Sequence, residues 1–230
     1  MTIAGLQKTT LLDYPGLIAC TVFLDGCNLR CPFCHNASLV LPERPRTPQI
    51  SEEALLSFLR SRKGKLDGVC ITGGEPTLQK NLPALLEQIR QLGFRIKLDT
   101  NGTNPAMLKN LVGQGLLDYV AMDIKNSPQS YVRTCGGVDV FDRIAESAAF
   151  LLQDPVDYEF RTTVVHPLHT VQDMEAIGRW LTGAKRYFLQ QFVDSGDLIG
   201  TGMSAMTPAQ MEQLRDAVLP HIEHTQIRGI

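Results

Sequence analysis

Strand-like and helix-like segments alternate along this chain from residue 17 onward. The first strand-like run, 17–25, is rich in β-branched and aromatic residues, and a helical pattern that Ser51 could cap follows it. Five further strand-like runs each precede a helical period: 68–72, 94–100, 117–124, 156–165 and 185–193. Because alternation of this kind implies parallel strands with right-handed crossovers, the pattern predicts an α/β fold.

The number of repeating units narrows the architecture further. A complete barrel of eight strand–helix units needs about 250 residues, whereas this chain has 230 residues and six units. The sequence therefore predicts a partial (β/α)6 TIM-like barrel, with a doubly wound open sheet as the competing arrangement. No long linker or internal repeat divides the chain, so we expect a single domain over 1–230. The proline-rich stretch 42–48 indicates an exposed loop.

Three of the six cysteines lie within eight positions, in the loop that follows the first predicted strand. Cys27, Cys31 and Cys34 have the spacing C-x3-C-x2-C, and three thiolates on one loop can surround a single soft metal centre. The remaining cysteines are scattered: Cys20, Cys70 and Cys135. Two of them fall inside predicted strands, where a thiol usually packs as a small core residue, and the third falls in a loop.

The cysteine loop alone leaves two kinds of metal site open. Zinc is possible with His35 as the fourth ligand, although structural zinc usually draws its ligands from two separated pairs and no second pair is present. An iron–sulfur cluster normally takes four cysteines. A cubane cluster held by only three would keep one iron open for a ligand from outside the protein.

Charge and hydropathy exclude several other functions. Lys and Arg number 22 against 24 Asp and Glu, which gives a formal net charge of −2. This balance does not favour binding to nucleic acid or to an anionic membrane. The longest early apolar run, 17–24, is too short to span a bilayer and lacks the flanks of a signal peptide. We therefore expect a soluble, cytoplasmic protein.

The cysteine spacing, with the aromatic Phe33 before the last cysteine, resembles the signature of radical S-adenosylmethionine enzymes. The resemblance implies that Cys27, Cys31 and Cys34 hold a [4Fe-4S] cluster whose fourth iron is chelated by the methionine amino and carboxylate groups of S-adenosylmethionine. It also implies reductive cleavage of that cofactor to a 5′-deoxyadenosyl radical. The family fold, a full or partial (β/α) barrel, agrees with the six units counted above.

Three further segments at predicted strand ends resemble motifs of this family. Gly73-Gly74-Glu75-Pro76 is similar to the motif that meets the cofactor amine, while 99–102 and 123–125 would place two carboxylates and an ammonium group around the cofactor. In isolation these segments are typical of turns and solvated charge pairs. The resemblance assigns cofactor contacts to the following residues: Phe33, His35, Gly73, Gly74, Glu75, Asp99, Asn101, Asp123, Lys125, Arg161 and Gln191. It also allows a monovalent or divalent cation near Asp99, Thr100 and Asp123.

The more specific resemblance is to the activating enzymes of glycyl radical enzymes. It includes Cys34-His35-Asn36, the segments 99–102 and 123–125, and Asp13-Tyr14-Pro15-Gly16. Formate-lyase activases have glycine where this chain has Tyr14, and they end the last strand with a Pro-Tyr-His type of segment where this chain has 189–192. Gln191 is thus the candidate for the ribose contact. Both departures are similar to activators of anaerobic ribonucleoside-triphosphate reductase.

This resemblance implies a function and its partners. The expected substrate is a backbone glycine of a partner enzyme, with anaerobic ribonucleoside-triphosphate reductase as the expected partner and a flavodoxin or ferredoxin as the electron donor. Asp13 is expected to help position the incoming glycine. Two alternatives remain: a radical enzyme acting on a small molecule, as deazapurine synthases do, and a non-enzymatic iron–sulfur or zinc protein. His166 and His169 are expected to be polar loop residues.

Overall fold

The computed structural model describes residues 2–41, 43–44 and 49–230. Most of the proline-rich loop predicted at 42–48 therefore lies outside the described residues. The strands are β1 (Ile3–Thr10), β2 (Ala19–Leu24), β3 (Gly68–Gly73), β4 (Arg95–Thr100), β5 (Tyr119–Asp123), β6 (Asp157–Val164), β7 (Tyr187–Gln191) and β8 (Thr225–Arg228). The helices are α1 (Ala37–Val40), α2 (Glu52–Ser61), α3 (Leu82–Gln91), α4 (Pro105–Gly113), α5 (Tyr131–Thr134), α6 (Phe141–Leu151), α7 (Val171–Trp180) and α8 (Pro208–Val218).

The strands form one mostly parallel sheet in which they are ordered as along the chain, and the sheet is not closed. β2 pairs in parallel with β3, and β3 with β4, while β6, β7 and β8 form a second parallel run. β1 is antiparallel to β2, with Thr10 opposite Ala19 and Ile3 opposite Leu24. The predicted α/β class and the partial, unclosed barrel with a mostly parallel sheet are confirmed.

The six predicted strand–helix units are present, from β2 to α8, and within the described part of the chain the sheet has two further strands, β1 and β8. β1 was missed because its central residues, from Gly5 to Thr9, are partly or fully exposed and supply no apolar alternation. β8 was missed because four residues are too few to show a period of two. Its place in the sheet comes from parallel pairing with β7, which the local sequence does not encode.

Side chains cap the starts of several helices, as predicted for Ser51. The Ser51 hydroxyl accepts a hydrogen bond from the backbone of Ala54, and Asn104 caps α4 through Met107. Thr170 and Thr207 each form a reciprocal capping box with the third residue of their helix. These side chains satisfy backbone donors that a helix leaves unpaired at its start.

The chain forms two compact units, one from 1–28, 38–100 and 104–120 and the other from 29–37, 101–103 and 121–230. In the first unit, α2 and α3 bury leucine and isoleucine side chains such as Leu55, Leu85 and Ile89. In the second unit, Tyr131, Phe141 and Trp180 pack as an aromatic cluster with ring centroids 5.0–6.2 Å apart. Such burial supplies the main stabilisation of each unit.

Candidate active site

In the first unit, three parallel strands end at the same edge and carry predicted site residues there. Cys27 follows β2, Gly73 and Gly74 lie at the end of β3, and Asp99 is near the end of β4. The carboxyl ends of parallel strands are where α/β proteins place their functional groups.

Gly73 and Gly74 are needed for close contact between two chain segments. A Cβ atom at Gly73 would lie 2.3 Å from the carbonyl oxygen of Leu24, and one at Gly74 would lie 2.1 Å from that of Gly26. The backbone of Gly74 donates to Leu24, and that of Glu75 donates to Gly26 at 2.7 Å. The glycine pair therefore holds the start of the cysteine loop against the end of β3.

The Glu75 side chain is fully buried and engaged inside the protein. Its Oε1 accepts hydrogen bonds from the backbone and hydroxyl of Thr77 and, at 2.8 Å, from the hydroxyl of Thr100. The carboxylate thus ties the end of β3 to the end of β4. The predicted contact between Glu75 and the cofactor amine stays a prediction, since this carboxylate is covered in the structure.

Asp99 has an ion-pair partner that the sequence reasoning missed. Lys97 precedes it by two positions on β4, and its ammonium group contacts the Asp99 carboxylate. The Lys97 side chain is only 2% exposed and also lies 3.8 Å from the sulfur of Cys70. The signal was present, because residues two apart on a strand share a face.

Asp13 lies at the opposite end of β2 from Cys27. Since β1 runs antiparallel to β2, the connection that carries Asp13 meets the amino end of β2. Its carboxylate accepts a hydrogen bond from Thr21 at 2.5 Å, and the neighbouring Tyr14 packs against Ala19 and Tyr119. The structure therefore does not bring Asp13 to the strand ends that carry the other predicted residues of this unit.

In the second unit, Cys31 and Cys34 form one tight turn. The backbone of Cys34 donates to the carbonyl of Cys31 at 3.1 Å, and the backbone of Asn36 donates to the sulfur of Cys34. A hydrogen bond from Cys135 lowers the pKa of Cys31 to about 7 against the opposing effect of burial, and Lys125 lowers it further. Burial raises the pKa of Cys34.

Asp123 is held between two cations in the second unit. Arg161 Nε lies 2.7 Å from one carboxylate oxygen, and Lys125 Nζ lies 2.9 Å from the other. Burial alone would raise the pKa of Asp123, but these cations hold it well below its usual range. Burial alone would likewise lower the pKa of Lys125, yet Asp123 and the nearby thiols raise it above its usual value. The three side chains carry a net positive charge.

His169 is a structural residue that fixes Lys125. Its Nδ1 accepts from the backbone of Val165 at 3.0 Å, so Nε2 carries the proton and donates to the carbonyl of Lys125 at 2.8 Å. Burial lowers the pKa of His169, which keeps this ring neutral. Phe33 packs edge-on against the same ring at 6.2 Å. The expectation that His169 is a polar loop residue missed this buried role.

Gln191 presents an unsatisfied acceptor at the end of β7. Its amide nitrogen donates to the carbonyl of Met206 at 2.6 Å, whereas its Oε1 is buried with no hydrogen-bond partner among the described residues. A buried acceptor of this kind is costly unless something fills it. On the adjoining segment, His35 stacks on Phe192 with ring centroids 5.4 Å apart.

Asn101 and its neighbours form a closed turn in the second unit. The Asn101 side chain accepts from the backbone and the hydroxyl of Thr103 at 2.9 and 2.7 Å. Gly102 has a positive φ, and a Cβ atom there would meet the end of Met122 at 2.2 Å. The amide of Asn101 thus stabilises the turn, and its predicted cofactor contact stays a prediction.

The side chains described above are chemically suited to bind a metal cluster and a cofactor that carries both positive and negative charge. Three thiols on one loop suit a soft metal, and the unsatisfied Gln191 oxygen and the cationic pair beside Asp123 suit polar groups of a ligand. Among the residues described, however, no three His, Cys, Asp or Glu side chains are arranged as a preformed metal site.

Comparison with known proteins identifies the family. The family model described as the radical SAM superfamily matches residues 21–181. The chain belongs to this superfamily of radical S-adenosylmethionine enzymes. The match includes the three-cysteine loop as well as the Gly-Gly-Glu segment and the charged groups of β4, β5 and β6. Within the described residues, no helix is long and apolar enough to cross a membrane.

Two curated relatives and one solved structure are informative. A Methanocaldococcus jannaschii protein named as a candidate glycyl-radical enzyme activating enzyme is 34% identical over 83% of this chain and 79% of its own length. A 7-carboxy-7-deazaguanine synthase of Thermococcus kodakarensis is 34% identical, but over only 44% of this chain and 46% of its own length. Streptococcus suis SuiB bound to its precursor peptide SuiA has a TM-score of 0.71 at 15% identity, covering 91% of this chain. The chain spans about half the length of SuiB, 48%, and this likeness concerns the fold alone.

Proposed function

We propose that this protein is an activating enzyme that generates a glycyl radical on a partner enzyme. The observation that carries the proposal is the similarity to the M. jannaschii protein, which extends over 83% of this chain. The match to the deazaguanine synthase extends over only 44%. Similarity over most of a chain supports a shared function better than similarity confined to part of it.

The cluster would be held by Cys27, Cys31 and Cys34. When bound, the reduced cluster would supply one electron, and S-adenosylmethionine would supply the 5′-deoxyadenosyl radical for hydrogen abstraction from the acceptor glycine, with methionine as the leaving group. The chain contributes the three thiolates and the backbone contacts that fix their loop. Those contacts include the close packing of Gly73 and Gly74 against the residues that lead into Cys27.

Charged side chains would orient the methionine part of the cofactor. Lys125 and Arg161 leave a net positive charge beside Asp123, which suits the cofactor carboxylate. Asp99, with its carboxylate 12% exposed beside Lys97, suits the cofactor ammonium group. Charge-assisted hydrogen bonds of both kinds are stronger than neutral ones. Glu75 would act indirectly, by fixing Thr100 next to Asp99.

The adenosine part would meet Gln191. Its Oε1 lacks a partner among the described side chains and backbone groups, so a ribose hydroxyl could donate to it. This supports Gln191 in place of the histidine found in formate-lyase activases. Phe33 and His35 would act by packing, since each lies against another ring.

The groups expected around a bound metal cation already have partners. Asp99 contacts Lys97, Asp123 contacts Lys125 and Arg161, and the Thr100 hydroxyl donates to Glu75. We propose that these side-chain cations supply the positive charge in place of a monovalent or divalent ion. Binding of S-adenosylmethionine should then be the same in sodium, potassium and tetramethylammonium chloride at equal ionic strength.

The partner proposed for this activity is an anaerobic ribonucleoside-triphosphate reductase, with a flavodoxin or ferredoxin as the electron donor. The test is to mix anaerobically reconstituted enzyme, dithionite, S-adenosylmethionine and the candidate reductase, and to record electron paramagnetic resonance (EPR) spectra. We expect a glycyl radical signal together with 5′-deoxyadenosine. A reductase whose acceptor glycine is replaced by alanine is the control and should give no such signal.

Two outcomes would redirect the proposal. Formation of 7-carboxy-7-deazaguanine by this enzyme, with no glycyl radical on any partner tested, would favour the small-molecule alternative. A protein that binds iron or zinc but forms no 5′-deoxyadenosine would be a carrier and not an enzyme.

The cluster ligands are tested separately by iron content. Alanine in place of Cys27, Cys31 or Cys34 should abolish the cluster absorbance of the reconstituted protein. Alanine in place of Cys20, Cys70 or Cys135 should retain it, since these thiols lie outside the C-x3-C-x2-C loop.

A further inference from the structure

A second arginine–carboxylate pair lies on the same sheet face as Arg161. Glu159 precedes Arg161 by two positions on β6, and residues two apart on a strand share a face. Both oxygens of Glu159 accept hydrogen bonds from Arg228 on β8, Oε1 from Nη1 at 2.8 Å and Oε2 from Nη2 at 2.9 Å. The Glu159 side chain is only 1% exposed. A buried carboxylate is thus paired through both of its oxygens with one guanidinium group.

The ring of Phe188 on β7 supports this guanidinium group between β6 and β8. In the parallel pairing of β6 with β7, Phe188 lies opposite Arg161, so their side chains share this face. The guanidinium carbon of Arg228 lies 3.3 Å from the centroid of the Phe188 ring, which is a cation–π contact. Bidentate pairing combined with ring stacking suits a planar guanidinium group better than an ammonium group. The position of Arg228 is therefore set by two independent contacts.

Arg161 lies between two carboxylates that both attract it. Its Nε contacts Asp123 at 2.7 Å, whereas Glu159 is its neighbour on the same face of β6. The Asp123 side chain is 27% exposed, against 1% for Glu159. A buried carboxylate that loses its hydrogen bonds is poorly solvated by water, so Glu159 without Arg228 would compete with Asp123 for Arg161. The pair between Glu159 and Arg228 removes that competition.

We propose that Arg228 is a positioning residue for the site that receives the carboxylate of S-adenosylmethionine. By engaging Glu159, it keeps the guanidinium group of Arg161 on Asp123. The inference rests on the proposed function, which assigns Lys125 and Arg161 to the cofactor carboxylate. Without Arg228, Arg161 turns to Glu159, and only Lys125 of these two cations remains beside Asp123. The excess positive charge at Asp123 is then lost, so binding of the cofactor carboxylate weakens.

The test measures S-adenosylmethionine binding by anaerobic isothermal titration calorimetry on reconstituted holoenzymes. Arg228→Met removes the charge but still covers the Phe188 ring, and it should weaken Kd about tenfold, as expected for one lost hydrogen bond to a charged group. Adding Glu159→Gln removes the competing charge, so the double variant should bind within about threefold of wild type. Arg186→Leu is the matched control, because Arg186 pairs with Asp157 of β6 at 2.8 Å, and it should leave Kd unchanged.

Rescue by the second substitution distinguishes positioning from a purely structural role. Urea unfolding should show that the single and the double variant are both less stable than wild type, because each lacks the ion pair, whereas only the single variant loses affinity. A double variant that binds as weakly as Arg228→Met would make the role structural and overturn the proposal. Wild-type affinity in Arg228→Met would overturn it as well. If Arg228→Met does not fold, Arg228→Gln replaces it in the same titrations.

A crystal structure of the Arg228→Met variant separates failure of the inference from failure of the proposed function. We expect the guanidinium group of Arg161 to lie within hydrogen-bond distance of Glu159 in this variant. If it stays on Asp123 while the wild-type enzyme binds S-adenosylmethionine, only the role of Arg228 is overturned. A wild-type holoenzyme that binds no S-adenosylmethionine overturns the proposed function and the inference together.

Discussion

Two carboxylates at strand ends, Asp99 in the first unit and Asp123 in the second, are neutralised in different ways. Asp99 pairs with the cation Lys97 from its own strand, and the lysine side chain is 2% exposed. Asp123 has two cations, Arg161 from β6 and Lys125 from the segment after β5, with exposures of 14% and 19%. The first arrangement is electrically neutral and nearly closed, whereas the second is positive and partly open.

Under the proposed function, this difference suits the two sites to opposite charges of a zwitterionic ligand. A closed, neutral pair holds a carboxylate in one place, where it can accept from an incoming ammonium group. An open site with excess positive charge can instead receive an incoming carboxylate. The cost of losing a carboxylate also differs between the two sites. A buried cation that loses its counter-ion cannot be solvated by water, whereas a partly exposed cation can.

The largest expected effect comes from removing each carboxylate in turn. Asp99→Asn leaves the Lys97 ammonium buried without a counter-ion and should lower the free energy of unfolding by about 3–5 kcal/mol. Asp123→Asn leaves cations that water can partly reach, so we expect a loss of about 1–2 kcal/mol. Anaerobic urea unfolding of both holoenzymes measures the difference. Equal losses, or a larger loss for Asp123→Asn, would contradict the distinction drawn between the two sites.

A second prediction tests the close backbone contact at Gly74, which lies in the first unit together with Asp99. Gly74→Ala places a Cβ atom 2.1 Å from the carbonyl oxygen of Gly26. We expect it to lower the free energy of unfolding by about 1–3 kcal/mol, as overpacking does, and to reduce cluster uptake. Gly113→Ala is the matched control, because nothing lies within 4 Å of a Cβ atom there. If both variants load iron equally, the close contact at Gly74 does not position the cysteine loop.

Part of this comparison could be predicted from the sequence and part could not. The runs that became β4 and β5 were predicted with Asp99 and Asp123 near their ends, because each is a compact apolar run followed by turn residues. The cations that pair with these two carboxylates were harder to predict. Lys97 could have been found from strand periodicity, but the contact between Arg161 and Asp123 depends on how β6 lies beside β5.

The burial of Glu75 and the position of Asp13 also depend on contacts that the local sequence does not reveal. A carboxylate in a Gly-Gly-Glu-Pro segment gives no local sign that Thr77 and Thr100 will surround it. Asp13 precedes a strand that was correctly predicted. The sequence does not show the antiparallel pairing of β1, which brings the chain back to the amino end of β2, away from the strand ends that carry the other predicted residues.

The third prediction has a smaller expected effect and concerns how the free energy of unfolding depends on pH through Asp123. Arg161 and Lys125 hold the pKa of Asp123 below its usual range despite the opposing effect of burial. The ionised carboxylate therefore adds stability above the unfolded-state pKa of about 3.9, and this is lost as pH falls toward the lower folded-state pKa. Between pH 5 and 3, wild type should lose about 1 kcal/mol more than Asp123→Asn. Parallel losses in urea titrations of the two proteins would show that Asp123 does not titrate in this way.

The smallest expected effect concerns Gln191. A variant at this position tests binding of the adenosine part of the cofactor separately from binding of the methionine part. Gln191→Leu removes the buried Oε1 that has no partner among the described groups. The lost hydrogen bond should weaken S-adenosylmethionine binding by about 1 kcal/mol, roughly fivefold in Kd. Isothermal titration calorimetry on the reconstituted enzyme measures this, with Gln190→Leu on the same strand as the control. Methionine alone should bind the variant as it binds wild type, because it lacks the ribose. Equal weakening for methionine and S-adenosylmethionine would mean that Gln191 acts on the charged sites and not on the ribose.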